Sequence, residues 1–142
     1  MKNQVRFQRV VPHDLFLPRR HSEKAAGIDL CSGELSFSIH AGETRKVATG
    51  WKIAIPDGFV GLVKDRSSMA LRGLVTQGGV IDSDYRGEVH VILHNNSSDI
   101  QHIAPGDRIA QLVLLLSVPI PIVEVDALDE TERGENGFGS TG

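Results

Sequence analysis

Residues 46–55 read Lys46-Val47-Ala48-Thr49-Gly50-Trp51-Lys52-Ile53-Ala54-Ile55, and they alternate with a period of two. Successive side chains of a β-strand point to opposite faces of its sheet. This run therefore predicts a half-buried strand. The side chains expected to share its inner face are Val47, Thr49, Trp51, Ile53 and Ile55.

The same period recurs on both sides of this strand. Two further apolar sets alternate with polar residues, Leu35, Phe37 and Ile39 in one run and Val89, Val91 and Leu93 in the other. Turn-forming sequences separate the runs, at residues 41–43, 56–58, 95–99 and 105–107. Many short strands joined by turns predict an all-β domain of the sandwich or barrel class.

The pattern changes at two places. Residues 67–72 favour a helical turn or two, with Asp65 or Ser67 as the N-cap. Pro119 and Pro121 favour an edge strand or a crossing strand after the last apolar run. From residue 126 the chain becomes acidic and then glycine-rich. We therefore expect one domain over residues 1–125 and a mobile C-terminal arm over residues 126–142.

The composition limits the classes of function. A chain of 142 residues can bury one substantial core, and its net charge of -3 gives no general affinity for nucleic acid. A single cysteine, Cys31, excludes an internal disulfide and suits a reducing compartment. The N-terminus does not resemble a signal peptide, and polar residues and prolines interrupt the apolar run 109–125. We expect a cytoplasmic protein without membrane or nucleic-acid partners.

Two segments combine residue types that suit a phosphorylated ligand. The first, residues 64–70, places Arg66, Ser67 and Ser68 at the start of a short helix, where free N–H groups favour an anion. The second, residues 78–89, pairs two glycines with Asp82, which could orient and deprotonate a water, and with Tyr85. Taken alone, each segment has a plainer interpretation, an ordinary capped helix and a tight hairpin.

Three other positions need a partner that the local sequence does not provide. Asp29 lies within the apolar run Ala26-Gly27-Ile28-Asp29-Leu30, where an acid requires a cation, a metal-bound water or N–H donors. Gln111 is an amide within an apolar strand and can both donate and accept. The terminal segment 133–142 combines Arg133, Phe138 and several glycines, a composition that suits a lid over a nucleotide, although a frayed terminus is also possible.

Together these segments indicate a family. In chain order, AGIDL, DRSSMA, GGVIDSDYRGEV, GDRIAQLV and RGENGFGSTG resemble the five motifs of the trimeric dUTPase family, the deoxyuridine triphosphate nucleotidohydrolases. The resemblance runs from residue 25 to residue 142. It implies a jelly-roll-like distorted β-barrel and a homotrimer with active sites at the subunit boundaries. The C-terminal arm of one subunit would close over a site built by others.

The resemblance also implies the reaction, Mg²⁺-dependent hydrolysis of dUTP to dUMP and pyrophosphate. This reaction limits uracil incorporation into DNA and supplies dUMP for dTMP synthesis. The Mg²⁺ would be held by the triphosphate and waters rather than directly by the protein, with Asp29 and Gln111 as outer-shell candidates. Asp82 would activate the attacking water, and Asp29 would hold either Arg66 or an ordered water of the metal shell.

The remaining roles that the resemblance implies concern substrate binding. Tyr85 would lie under the deoxyribose, and the backbone of Gly79, Val80 and Ile81 would pair with uracil. Phosphate contacts would come from Arg66, Ser67, Ser68, Gln111, Arg133, Gly139 and Ser140, and Phe138 would stack on the base.

Two rival functions remain. The related dCTP deaminases also carry an Arg-Ser-Ser segment, but they place a Glu where this chain has Ile92, which cannot transfer a proton. A binding or regulatory module is the second alternative, with residues 16–21 as a partner surface. Retention of Asp82, Arg66, Gln111 and Arg133 favours an active enzyme.

Overall fold

A computed structural model describes residues 4–12, 14–137 and 139 of the chain. Within these ranges the structure has ten strands and one short helix, and every strand pair is antiparallel. The elements are β1 (Arg6–Arg9), β2 (Gly27–Cys31), β3 (Phe37–Ile39), β4 (Thr44–Ala54), β5 (Phe59–Lys64), α1 (Ser67–Leu71), β6 (Leu74–Gln77), β7 (Val80–Ile81), β8 (Glu88–Asn95), β9 (Gln101–Ile103) and β10 (Arg108–Leu116).

The strands form three sheets around one core. The first sheet has the order β1-β4-β8-β6, the second β2-β10-β5-β7, and β3 pairs with β9 in a small third sheet. Both large sheets contribute to a single apolar cluster, with Val47 and Val91 from the first and Leu30 and Leu112 from the second. The all-β, jelly-roll-like fold expected from the sequence is confirmed.

The strands with the clearest alternation confirm the sequence prediction. In β4, Val47 and Ile53 are buried, and Trp51 is 5% exposed. In β8, Val89 and Val91 are buried with the next alternate residue, Leu93. The period of two therefore identified both the strands and their inner faces.

Two expectations of strand structure were wrong. Strand β3 begins only at Phe37, and Leu35 is 86% exposed because it precedes the pairing of β3 with β9. Residues 117–137 contain no strand, and Ile122 is 99% exposed. An extended apolar segment is a strand only where another backbone pairs with it, and among the described residues the last ladder ends at Leu116. The division into a domain and a mobile arm stays a prediction.

The expected helical turn is present, but neither predicted residue caps it. Helix α1 spans Ser67–Leu71, and Arg66 occupies the N-cap position with extended backbone angles, φ -89° and ψ 139°. No side chain makes a cap hydrogen bond. The carboxylate of Asp65 is turned instead toward Thr76 in β6, which accounts for its absence from the cap.

The described helix is too short to cross a membrane. Across the described ranges, the one helix has five residues, whereas a helical crossing of a bilayer takes about 20.

Candidate active site

The first cluster of predicted site residues surrounds an open cavity of about 570 Å³ between β2, α1 and β10. We call this cavity the cradle. Five of its lining residues are predicted site residues, namely Asp29, Arg66, Ser67, Ser68 and Gln111. Its other lining residues are His21, Ala25, Ala26, Gly27 and Arg108.

The charge of the cradle comes from one carboxylate and two guanidinium groups. Asp29 Oδ1 lies 3.1 Å from Arg66 Nε, and Asp29 Oδ2 lies 3.5 Å from Arg108 Nη1. Arg66 Nη1 also donates to the carbonyl oxygen of Arg108 at 3.1 Å. Asp29 thus has the cation that its apolar sequence context required, and one positive charge remains in excess. Such a site suits a phosphate group.

Helix α1 adds backbone donors to the same cavity. The first helical hydrogen bonds run from the N–H groups of Met69 and Ala70 to the carbonyl of Arg66, both at 2.9 Å. The N–H groups of Ser67 and Ser68 precede these bonds, and their side chains are exposed. Two amides and two hydroxyl groups are therefore placed to donate toward a ligand in the cradle.

Gln111 closes one side of the cradle because Gly27 leaves room for its side chain. In the pairing of β10 with β2, Gln111 lies beside Asp29, and its Nε2 donates to the carbonyl of Asp65 at 2.7 Å. A Cβ atom at Gly27 would overlap Gln111 Oε1. The glycine therefore leaves the space that this amide occupies, and the amide oxygen remains available as an acceptor.

The second cluster lines a separate pocket of about 190 Å³, which we call the hairpin pocket. Its walls contain the predicted residues Gly79, Val80, Ile81, Asp82 and Tyr85, together with Glu88, Val89 and His90. The carboxylate of Asp82 is exposed and follows directly after β7.

Hydrogen bonds fix the shape of the hairpin pocket. Gly79 has φ 90°, a value that strongly favours glycine, and its carbonyl accepts from the N–H of Val63 at 2.8 Å. A side chain at Gly79 would meet the Val63 backbone. Tyr85 donates its hydroxyl hydrogen to the carbonyl of Glu88 at 2.8 Å, which fixes the ring while leaving it 42% exposed.

Among residues 126–137 and 139 of the arm, none lines either cavity. Arg133 Nε donates to the carbonyl of Asn136 at 2.8 Å, and Gly139 is exposed with φ 91°. The predicted site residues Phe138 and Ser140 lie outside the described residues. The structure thus assembles two groups of predicted residues, and among the residues described no side chain or backbone segment lines both cavities.

Several residues of these cavities were missed from the sequence, among them Arg108, His90 and His21. Arg108 belongs to the segment GDRIAQLV, and the need of Asp29 for a partner could have pointed to it. Only the β2–β10 register brings the two residues together, however. His90 follows Glu88 on the outer face of β8, so alternation with buried Val89 could have located it. His21 lies in a segment without regular structure, and the sequence had pointed to it only as part of the partner surface 16–21, not as a cavity residue.

The thiol of Cys31 is not suited to nucleophilic chemistry. Burial raises the pKa of the Cys31 thiol, and the nearby Asp29 carboxylate raises it further. The thiol is therefore protonated at neutral pH and is a poor nucleophile. In the ranges 4–12, 14–137 and 139, no three His, Cys, Asp or Glu side chains group closely enough to hold a metal ion.

Comparisons with known proteins place this geometry in a family. The dUTPase family model matches residues 14–142. The deoxyuridine 5'-triphosphate nucleotidohydrolase of Zymomonas mobilis is 44% identical over 147 aligned positions, covering 100% of this chain and 99% of that protein.

Solved structures agree with the sequence match. The dUTPase of Staphylococcus bacteriophage 80alpha, solved with dUpNHpp, superposes with a TM-score of 0.90 at 27% identity, covering 99% of each chain. A mutant dUTPase of phage phi11 of S. aureus, described as coordinating a structural Mg(II) ion, has a TM-score of 0.79 at 22% identity, over 90% of this chain and 100% of that one. The latter likeness shows the fold alone. Since the family model spans nearly the whole chain and a full-length relative shares 44% of its residues, this chain belongs to the dUTPase family and is a dUTP diphosphatase.

Proposed function

We propose that this chain hydrolyses dUTP to dUMP and pyrophosphate by attack of an Asp82-activated water on the α-phosphorus, in sites shared between the subunits of a homotrimer. The observation that carries the proposal is the division of the site into a cationic cradle and a separate acid-bearing pocket. Each suits a different part of one nucleotide. We infer that dUTP meets the cradle of one subunit and the hairpin pocket of another.

The chemical step requires a base, an aligned water and a leaving group. The Asp82 carboxylate takes a proton from the water while the water oxygen bonds to the α-phosphorus. The bond from that phosphorus to the bridging oxygen breaks, and pyrophosphate leaves with the electron pair. Arg66 and the N–H groups of Ser67 and Ser68 stabilise the negative charge that develops on the phosphates.

The cradle also suits an outer-shell role toward Mg²⁺. Mg²⁺ retains several waters when it binds with a triphosphate, so it needs acceptors for those waters more than direct protein ligands. Gln111 Oε1 faces Gly27 while its Nε2 donates elsewhere, and the Asp29 oxygens have lone pairs beyond those that face the arginines. When bound, the ion would neutralise charge on the triphosphate.

Substrate selection is assigned to the hairpin pocket. Tyr85, fixed by its bond to the Glu88 carbonyl, would occupy the space that a 2′-hydroxyl requires. The backbone of residues 79–81 would pair with uracil and leave no room for a 5-methyl group, and its bonding pattern would mismatch cytosine. Arg133 and Phe138 of the arm, with Gly139 and Ser140, would close over the bound nucleotide and exclude other water.

In the cell, this reaction would limit uracil incorporation into DNA and supply dUMP for dTMP synthesis. The test is a pyrophosphate-release assay of the purified protein with dUTP, dTTP, dCTP and UTP, with Mg²⁺ and with a chelator. We expect dUTP to be preferred by about a hundredfold or more, because the rejected analogues either clash with the pocket or leave its polar groups unpaired. The chelator should abolish most turnover. Equal turnover of dCTP or UTP would contradict the assigned pocket, and a monomeric mass in solution would contradict the shared site.

A further inference from the structure

Asp65 connects the cradle to the strand that leads into the hairpin pocket. It lies between β5 and α1, directly before Arg66. Its Oδ1 accepts from the backbone N–H of Thr76 at 2.5 Å and from the Thr76 hydroxyl at 2.6 Å. One carboxylate oxygen thus holds both donors of a single residue in β6.

The bond to the backbone of Thr76 completes an open strand edge. Within the part of the chain that the structure describes, β6 is the outer strand of its sheet and pairs with β8 alone, where Thr76 lies opposite Leu93. The N–H of Thr76 is directed to Asp65, on the edge away from β8. An edge N–H without an acceptor is free to move or to bind water, so the side chain of Asp65 takes the place of the missing strand.

This contact lies where the chain passes from one large sheet to the other. Strand β6 belongs to the first sheet, and β7 to the second. Between them, Gly78 and Gly79 have φ 63° and 90°. The pairing of β7 with β5 extends as far as the hydrogen bond from the Val63 N–H to the Gly79 carbonyl. Two residues after Val63, the side chain of Asp65 makes the next link, to Thr76 in β6.

The backbone of Asp65 is held as well as its side chain. Its carbonyl accepts from Gln111 Nε2 at 2.7 Å, so β6 and β10 fix this residue from two directions. The residues that follow are Arg66, Ser67 and Ser68, which line the cradle, whereas Asp65 does not line it. The carboxylate is therefore placed to set the position of the phosphate-binding residues rather than to act on the phosphates itself.

We propose that Asp65 and Thr76 form a positioning pair that sets the cradle geometry for the triphosphate. This inference rests on the proposed function for the ligand, but the contact itself does not. Rates fall steeply when a charge-stabilising group is displaced by about 1 Å, so loss of the pair should lower kcat/KM for dUTP by about tenfold.

The variants separate geometry from charge. Asp65→Ala removes both bonds, Thr76→Val removes only the hydroxyl donor, and Asp65→Asn removes the charge while keeping an acceptor oxygen. We expect Asp65→Ala to raise KM for dUTP as well as lower kcat, Thr76→Val to show a smaller loss, and Asp65→Asn to lose less than about threefold. The double variant with Asp65→Ala and Thr76→Val should have the same kcat/KM as Asp65→Ala alone, because both substitutions act on the same contact.

Controls distinguish the pair from general destabilisation. Asp57→Ala removes an equal charge from the exposed turn between β4 and β5 and should leave kinetics unchanged. Inhibition by dUMP, which lacks the outer phosphates, should change less than about twofold in Asp65→Ala, since the hairpin pocket retains the β5–β7 ladder. Loss of folded protein would instead lower apparent kcat and leave KM unchanged.

A second measurement is independent of turnover. Amide hydrogen exchange followed by mass spectrometry should show faster exchange in peptides covering residues 66–71 and 74–77 of Asp65→Ala, but not of Asp65→Asn. Unchanged exchange and unchanged kinetics in Asp65→Ala would overturn the inference. An equal gain in affinity for dUTP in both Asp65 variants would also overturn it, because that result would indicate that Asp65 acts only by repelling the phosphates. If the wild-type protein fails to hydrolyse dUTP while the exchange result holds, the proposed function fails and the structural pair stands.

Discussion

Among individual residues, Asp82 carries the chemical step of the proposal. It is exposed in the hairpin pocket beside Tyr85, so a water can reach its carboxylate without any rearrangement of the core. Asp29, the acid of the cradle, is engaged by two guanidinium groups and is therefore placed for positioning rather than proton transfer. The environments of the two acids thus indicate different roles.

Asp82→Asn should separate binding from chemistry. The amide has nearly the same shape as the carboxylate but cannot accept the proton of the water, so we expect kcat to fall by about 10²–10⁴-fold. Binding of a non-hydrolysable dUTP analogue, measured by calorimetry, should change little. Wild-type turnover in this variant would remove Asp82 from its assigned role.

Gly27 provides a second test, which concerns the space around Gln111. A methyl group at position 27 would overlap Gln111 Oε1 and force the amide out of the cradle. We expect Gly27→Ala to lower kcat/KM by about tenfold and stability by about 1–3 kcal/mol, because overpacking at a strand pair forces side chains from their preferred rotamers.

The control for this substitution is the same change in a Gln111→Ala background. There the added methyl group meets no amide, and only the 3.0 Å approach to the Cβ of residue 111 remains, so Gly27→Ala should lower the temperature of thermal unfolding clearly less than it does in the wild-type background. A destabilisation of equal size in both backgrounds would show that the glycine is needed for the backbone instead.

Among strands and loops, Glu34 joins the loop after β2 to β4. Its carboxylate accepts from the N–H of Ala48 at 2.8 Å and pairs with Arg45 Nη2 at 2.9 Å. Burial alone would raise the pKa of Glu34, but the Ala48 hydrogen bond and the Arg45 guanidinium together lower it below its ordinary value. The ionised form is therefore favoured in the folded protein.

The sign of this shift fixes a pH dependence of stability. Since the pKa of Glu34 is lower in the folded state than in the unfolded state, its contribution is complete above the unfolded pKa and is lost as the pH falls through the folded pKa. We expect Glu34→Gln to lower the free energy of unfolding at pH 7 by about 1–2 kcal/mol, less than a fully buried charge-assisted bond because solvent screens this partly exposed pair.

Urea unfolding of wild type and Glu34→Gln over a pH series would measure this difference. The two stability curves should converge in the acidic range, below the ordinary pKa of a glutamate, about 4.3. A difference that stays constant at all pH values would show that the Glu34 charge has no part in stability.

The elements also show how far sequence reasoning reaches. Alternation located β4 and β8 because each buries one face against the shared core. It failed at Leu35 because alternation does not reveal whether a partner strand lies alongside. It missed Arg108 because the ion pair with Asp29 joins residues far apart in sequence, through the β2–β10 register. The local sequence also offered Asp65 or Ser67 as the helix cap, because the partner of Asp65, Thr76, lies in β6 and is not visible from the neighbouring residues.

In the folded chain as a whole, the two cavities lie apart, and the proposed function has to account for that separation. The proposed function assigns different parts of one nucleotide to the cradle and the hairpin pocket, yet within the described residues the two cavities share no wall. The segment after β10 also exposes an apolar surface, including Val118, Ile120 and Ile122. Both features are expected of a subunit whose site and surface are completed by other copies.

Mixed trimers test this arrangement directly. Arg66→Ala impairs only the cradle, and Asp82→Asn impairs only the hairpin pocket, so each variant alone should be nearly inactive. If a site takes its cradle from one subunit and its acid from another, unfolding and refolding the two variants together in equal amounts would restore some intact sites. Random assembly gives about a quarter of wild-type activity, since each half of a site is intact in about half of the cases.

The refolding of each variant alone, under the same conditions, supplies the baseline, and refolded wild type supplies the upper limit. Activity that rises with mixing requires contributions from two chains to one site, because neither chain carries both Arg66 and Asp82. A mixture that forms mixed trimers, shown by native mass spectrometry of a mass-labelled variant, but stays at the baseline would place both groups in a single chain. That result would refute the shared site while leaving the fold and the family unaffected.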